Sequence, residues 1–228
     1  MIITNKHNLP QAFVKMASED YTFRDKEYRV TSLLKGLRET ILERRHHENI
    51  EVDVSDMIWL LFGRAVHSIL EQQEEAGHEL KEERIRVPIG DYTLSGQFDL
   101  YCGKTHKITD YKTCSAWKII FGDYNDWRQQ LLIYSWMMRQ IGFPVKCAEV
   151  VALMKDHSKR DAKRKADYPK LPAKVVSFKF GEQDFQEIEE WLIAKFAEIK
   201  HAETLPDDEL PLCTPDERFN SGDKFAVM

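Results

Sequence analysis

Residues 96–113, GQFDLYCGKTHKITDYKT, decide how the rest of the chain is read. Two short stretches of strand character flank a turn at Gly103, with Asp99 in the first and Asp110 and Lys112 in the second. In an extended strand, side chains two residues apart share a face, so Asp110 and Lys112 point the same way, with Ile108 before them. A second carboxylate, Asp99, brought beside them across a hairpin gives the oxygen-rich pocket that Mg²⁺ or Mn²⁺ prefers. The lysine is a charge that a metal cage alone does not need, and it suggests chemistry on phosphate. By itself the triplet is a weak signal. A chain with 33 Lys or Arg and 38 Asp or Glu produces Asp-X-Lys by chance, mostly on solvated strands and turns.

Working outward, residues 81–88 (KEERIRVP) alternate as a strand, Gly90-Asp91 supplies a turn, and residues 92–101 form the next strand. Leu94, Phe98 and Leu100 share one face of it, and Gln97, Asp99 and Tyr101 the other. With 107–113 these strands make an antiparallel meander whose last two members carry the carboxylates. Before it, Ser55 caps a long helix over 56–76 that ends at Gly77, with Ile58, Leu61, Phe62, Ala65, Val66 and Ile69 as its core face. His67 falls opposite that face, near Leu60, Arg64 and Glu71, where a histidine is ordinarily exposed; Gly63 one turn earlier leaves space beside it.

After 113 the segment CSAWKIIFGDYND reads as a loop whose aromatic residues pack over a sheet edge or, alternatively, stack on bases. A helix over 125–140 follows, closed by Gly142 with Pro144 beyond; Leu131, Tyr134, Ser135 and Met138 form its apolar stripe, and Gln130 and Tyr134 reach the same neighbour. Residues 147–154 are a fourth, central strand, so the helix is a crossover. Residues 155–174 hold eight Lys or Arg against three Asp, a local charge of +5 in a chain of net charge −5. Lys159, Arg160, Lys163 and Arg164 in this segment are candidates for phosphate contacts, although a basic loop is often only a solvated surface. A fifth strand spans 175–180 and a last helix 182–201, with Phe185, Ile188, Leu192, Phe196 and Ile199 inward.

Towards the N-terminus, a short helix over 8–17 has Asn8 as its cap and Leu9, Phe13 and Met16 as its apolar face. A polar stretch to Arg29 precedes a helix from Thr31 or Ser32 to Arg45. The arginines and histidines at 44–47 complement that helix's dipole, and no role is assigned to His46 or His47. The chain divides into one domain over 1–205, with a helical part over 1–54, a core over 55–205 and an irregular tail over 206–228.

With 43% hydrophobic and 31% charged residues this is the composition of a globular protein. No apolar run is long enough to span a bilayer and the first residues lack a signal-peptide pattern, so a cytoplasmic location and no membrane partner are expected. The four cysteines, Cys102, Cys114, Cys147 and Cys213, are scattered and expected to be free thiols. The net charge argues against a globally basic nucleic-acid binder but not against a local patch. A zinc hydrolase is disfavoured because no helix carries a paired-histidine motif.

The order of these features is more specific than any of them. Gly63-X-X-X-His67 on a helix, GQFDLY with Asp99, ITDYKT with Asp110-Tyr111-Lys112, then Gln130-X-X-X-Tyr134 on the following helix resembles the RecB-type branch of the PD-(D/E)XK nuclease superfamily. The flanks ITNKHNLPQAF, KDHSKRDA and PLCTPDERF look like bacteriophage-encoded members of that branch. The resemblance implies an α/β, restriction-endonuclease-like core: a central mixed sheet of about five strands flanked by helices, with N-terminal helical additions. It implies a DNA nuclease dependent on Mg²⁺ or Mn²⁺, an exonuclease in phage DNA recombination, repair or processing, working in the host cytoplasm. Single- or double-stranded DNA would be its substrate and phage recombination or replication proteins its partners. Carried over by position, Asp99, Asp110, His67 and the carbonyl of Tyr111 are metal ligands, Lys112 is the catalytic lysine, and Gln130 and Tyr134 position substrate or the lysine. Phe98 stands where the family often has proline. Related nucleases hold an iron-sulfur cluster on cysteines grouped near the C-terminus; only Cys213 lies there, so no cluster is expected. The alternative is a catalytically silent nucleic-acid-binding or scaffold subunit with the same fold. Strand preference, cleavage polarity and oligomeric state stay open.

Overall fold

The computed structural model describes residues 1–18, 23–71, 78–214 and 217. Its N-terminal part is less helical than expected. β1 (Ile2–Thr4) leads to α1 (Gln11–Ala17), which starts late because Asn8 lies in the left-handed region at φ +53°. Asn5 holds that turn instead, accepting from the Leu9 N–H at 2.8 Å and donating to its carbonyl at 2.9 Å. Leu9 and Met16 pack on a small cluster of Ala17, Val54 and Leu61, whereas Phe13 is exposed. The polar stretch contains a strand, β2 (Glu27–Arg29), that runs into α2 (Val30–Leu33). The helix expected to continue to Arg45 breaks at Gly36, and α3 (Leu37–His46) begins anew. Its basic end has a partner: Arg45 donates to the carbonyls of Ala202, Glu203 and Leu205, capping another helix, and pairs with Asp207, as does His46.

β3 (Glu51–Asp53) runs parallel to β1. A 3-10 turn (Val54–Met57) precedes α4 (Ile58–Glu71). The cap is the Asp53 carboxylate, which accepts from the Ser55 N–H at 3.0 Å, not Ser55 itself. The last turn expected for this helix and its Gly77 cap, residues 72–77, lie outside the described residues. No described helix is long and apolar enough to cross a membrane.

Each of the two strands expected over 81–88 and 92–101 is two strands. β4 (Glu79–Lys81) and β5 (Arg84–Ile89) are separated at Glu82, and β6 (Tyr92–Gln97) and β7 (Leu100–Cys102) at Asp99. β5 and β6 form a hairpin from Ile89 opposite Tyr92 to Arg84 opposite Gln97, with β2 added in parallel on the far side of β6. Beyond Gln97 both chains bend together into another sheet, where β4 pairs with β7. Glu82 makes the bend at φ +49°, a strain on the order of 1 kcal/mol for a non-glycine, and its N–H donates to the Asp99 carbonyl at 3.0 Å. The meander therefore changes sheets at Asp99, and the alternation shifts with it: Phe98 and Tyr101 are buried, and Leu100 only partly.

β8 (Lys107–Cys114) pairs with β7 only as far as Thr109 opposite Leu100. On its other edge it runs parallel to β9 (Cys147–Met154) along its whole length. The connection is a crossover of two helices, α5 (Ala116–Phe121) and α6 (Asn125–Gln140). α5 occupies the stretch expected to be a loop; Gly122, left-handed at φ +70°, ends it. α6 has its expected bounds but is buried on more than one stripe: Leu132, Ile133, Trp136 and Met137 are buried beside Leu131, Tyr134, Ser135 and Met138. The cause is its position, touching β8 and β9, β5, α2 and a further helix at once. After α7 (Lys159–Arg164), β10 (Ala173–Phe178) pairs antiparallel with β9, and α8 (Glu182–Ala202) buries all five expected residues. The main sheet thus has the order β10-β9-β8-β7-β4, mixed and five-stranded as expected, with helices packed against it. The tail is anchored by buried Leu210, whose carbonyl accepts from Arg38. Residues 215, 216 and 218–228 of the expected tail lie outside the described residues.

Gly96 marks the closest approach of β6 to α6. A Cβ there would stand 2.7 Å from Tyr134 Cε1 and 3.1 Å from Val30 Cγ2. Gly96→Ala should therefore destabilise the protein by about 1–3 kcal/mol, since neither ring nor strand can yield freely. A melting temperature equal to that of the wild type would show that this contact is soft.

Candidate active site

The site forms where β8 outruns β7. From Asp110 onward that edge of β8 has no strand beside it among the described residues, and the bend at Asp99 turns a carboxylate into the opening. Asp99 Oδ2 accepts from the Tyr111 N–H at 2.6 Å. A residue's N–H and C=O leave an extended strand on the same edge, so the Tyr111 carbonyl faces this opening too. Asp110 and Lys112 share a face, with Lys112 Nζ 2.9 Å from Asp110 Oδ2. Burial pushes the Asp110 carboxyl up, against the attraction of Lys112. For Lys112 burial pulls the ammonium down, but the charge of Asp110 overrides it and the net shift is upward.

α4 delivers His67. The helix packs on the sheet through the side that bears Gly63, where a Cβ would lie 3.5 Å from Thr113 Oγ1. Periodicity placed His67 away from the core; instead it is 30% exposed, with Nδ1 3.2 Å from Asp99 Oδ1 and 3.6 Å from Glu82 Oε1. Of the face expected to be core, Leu61 is buried while Phe62, Ala65 and Ile69 are exposed. Hydrogen bonding to Asp99, then to Glu82, pushes the imidazole up to about 10.

Glu82 was not singled out in the sequence. Its Oε2 accepts from Gln97 Nε2 at 2.8 Å, and Gln97 Oε1 accepts from Arg84 at 2.7 Å, so a chain of polar contacts runs from Arg84 to His67. His67, Glu82 and Asp99 offer one atom each within 4.8 Å of one another. The only sequence signal for Glu82 was two adjacent glutamates interrupting an alternating strand, which also describes an exposed edge.

Behind the site, buried Gln130 donates from Nε2 to Tyr134 Oη at 3.1 Å. Burial pushes the Tyr134 phenol up to about 12, so it keeps its proton and can donate it. The structure thus brings together His67, Asp99, Asp110, Tyr111 and Lys112, with Gln130 and Tyr134 on the adjoining helix. Lys159, Arg160, Lys163 and Arg164 are not in this cluster; they are exposed on α7, beyond the end of β9.

The donors suit a hard divalent cation. Carboxylates of Asp99 and Asp110, a backbone carbonyl and an imidazole face one opening, and Asp110 Oδ2, although buried, has no hydrogen bond of acceptable geometry. Lys112 Nζ, 2.9 Å away, is its positive neighbour, but the poor alignment of that contact leaves a lone pair open to a cation.

A mixed sheet with two carboxylates and a lysine at the opening between two of its strands defines a nuclease-type core. The chain belongs to the PD-(D/E)XK nuclease superfamily, whose family model matches residues 7–215. Solved structures agree on the fold. The protein SSO0001 is similar over 81% of this chain and 82% of its own, with 15% identity and a TM-score of 0.52. A phage-related exonuclease from Haemophilus somnus 129PT is similar over 77% of this chain and 94% of its own, with 11% identity and a TM-score of 0.51. A comparison with curated proteins found no match.

Proposed function

We propose that the protein is a Mg²⁺- or Mn²⁺-dependent deoxyribonuclease, acting as an exonuclease in phage DNA recombination, repair or processing. The observation that carries this reading is the meeting of His67, Asp99, Asp110 and Lys112 from a helix, a bend and a strand at one sheet opening. The exonuclease direction is supported by the phage-related exonuclease of similar fold.

Asp99, Asp110, His67 and the Tyr111 carbonyl would hold the cation. When bound, it supplies positive charge to the phosphate oxygens and lowers the pKa of a water molecule. The Tyr111 N–H holds Asp99 Oδ2 and His67 Nδ1 meets Oδ1, so both oxygens are fixed at the opening. Lys112, kept charged by Asp110, orients the attacking water and steadies charge on the phosphate. Tyr134, whose oxygen accepts from Gln130, keeps its proton and would offer it to the same region.

The test is incubation of labelled linear and circular DNA, single- and double-stranded, with Mg²⁺ or Mn²⁺ beside an EDTA control. Products from linear DNA alone are expected, and none with EDTA. Cutting of circles would make the enzyme an endonuclease; binding without products would favour a silent binding subunit.

Glu82 faces the same Nδ1 of His67 as Asp99 does and helps to orient the ring. Glu82→Gln should weaken Mn²⁺ binding by about 10–100-fold, as is usual for groups that orient a metal-binding histidine. Calorimetric titration checks this without any assay of cleavage. Unchanged affinity would assign Glu82 to the bend alone.

A further inference from the structure

We propose that exposed aromatic side chains at the carboxyl ends of β8 and β9 stack the bases of a single-stranded nucleic acid, so that substrate reaches the site as an unpaired strand. This rests on the nuclease reading and adds to it the class of substrate. Trp59 and Phe62 on α4 are 57% and 45% exposed, and Trp117 and Phe121 on α5 are 58% and 76% exposed. Single apolar side chains in water need no explanation, but four aromatic rings on two helices anchored to one strand end do.

The anchoring is specific. Gly63, one turn beyond Trp59, faces Thr113, the residue after Lys112. Lys155 donates its N–H to the Cys114 carbonyl at 3.0 Å and places Nζ 4.1 Å from the centre of the Trp59 ring. Ala116, the first residue of α5, is held through its N–H by Asp156 at 2.6 Å. Both helices are thus tied to residues 113–116, which leave the candidate site directly. Trp117 and Phe121 already stack on each other, with centroids 5.8 Å apart and planes 27° apart, and Trp59 meets Phe62 edge-on at 6.2 Å.

Charge selects the occupant. Lys155, Lys159, Arg160, Lys163 and Arg164 are exposed around this end of the sheet, and no ion pair with a described residue engages them. A purely apolar partner would have to dehydrate these cations without compensation. A nucleic-acid strand offers phosphates to the cations and base faces to the rings. A duplex hides its base faces in its own stack, so the strand must be single. Trp117 and Ile120 also line a cleft of about 500 Å³ shared with Ser158, Lys165 and Tyr168. Its carboxylates, Asp156, Asp161 and Asp167, repel phosphate and can accept from base N–H groups, the N3–H of thymine included, so the cleft receives a base rather than the backbone.

The experiment uses the full chain, with EDTA present so that nothing is cut, and fluorescence-labelled oligothymidylate of about 20 nucleotides beside a blunt duplex of equal length. The single strand should bind about tenfold or more tightly than the duplex and quench tryptophan fluorescence. Trp59→Ala and Trp117→Ala should each weaken its binding about tenfold, Trp59→Phe and Trp117→Phe much less, with unchanged melting temperatures. Undiminished binding by the double alanine variant, or preference for the duplex, would overturn the proposal. So would self-association of the wild type that the alanine variants lose while still binding the oligonucleotide. Cleavage with Mn²⁺ is measured separately. A wild type that binds through its tryptophans without cutting sinks the nuclease reading and leaves the stacking surface; one that cuts while the double variant binds normally does the reverse.

Discussion

Lys112→Met and Asp110→Asn should each lower DNA cleavage by on the order of 10³-fold while leaving the protein folded. The two groups sit 2.9 Å apart, so each sets the state of the other. Asp110 keeps Lys112 charged against the pull of burial, and Lys112 opposes the rise that burial imposes on the Asp110 carboxyl. Asparagine has the shape of aspartate but cannot neutralise a cation, and methionine keeps the stem of lysine without its charge. Because the pair acts as a unit, the double variant should lose little more than either single one. Folding should survive because neither group lies in the apolar core and Lys112 remains 28% exposed. A thermal shift on adding Mn²⁺ separates the roles: Asp110→Asn should lose it and Lys112→Met retain it. Full cleavage by either variant at saturating metal would remove these residues from the chemistry.

Phe98→Ala should be the most damaging single change outside the site, destabilising by about 3–5 kcal/mol and lowering the melting temperature by roughly 10 °C. Phe98 is fully buried at the bend where the chain leaves β6 for β7, in the same core cluster as Leu94, Ile108 and Ile133. The adjacent Asp99 owes its direction to that bend, so cleavage should fall even at temperatures where the variant is folded. Phe98→Leu keeps most of the volume and should retain activity with a loss of about 1 kcal/mol. If Phe98→Ala melts like the wild type, the bend is held by hydrogen bonds alone.

Elements whose signals are local were legible. α6 and β9 have their expected bounds because an apolar period framed by Gly142 and Pro144 needs no distant partner to define it. The inward face of α8 is similarly plain. Asp110 and Lys112 were joined by the period of two within one strand. α5 was missed because a single helical turn and a half, ended by Gly122, has no periodicity to detect; its existence depends on Asp156 holding the Ala116 N–H from another strand's end. The break at Gly36 was missed because α3 is positioned by α8, 150 residues further on.

The sequence by itself determined the inventory: a mixed α/β chain, two carboxylates and a lysine on neighbouring strands, and a helix bearing a histidine before them. Only the tertiary structure decided which side of α4 faces the sheet. Hydrophobic periodicity counts on apolar side chains being covered, yet α4 packs through Gly63 and leaves Trp59 and Phe62 in water. Only the tertiary structure placed Glu82 with Asp99, because a hairpin bent across two sheets brings these residues together at its fold. Local patterns report which face a residue takes along its own strand or helix; the meeting of four such elements at one opening depends on packing that none of them encodes alone.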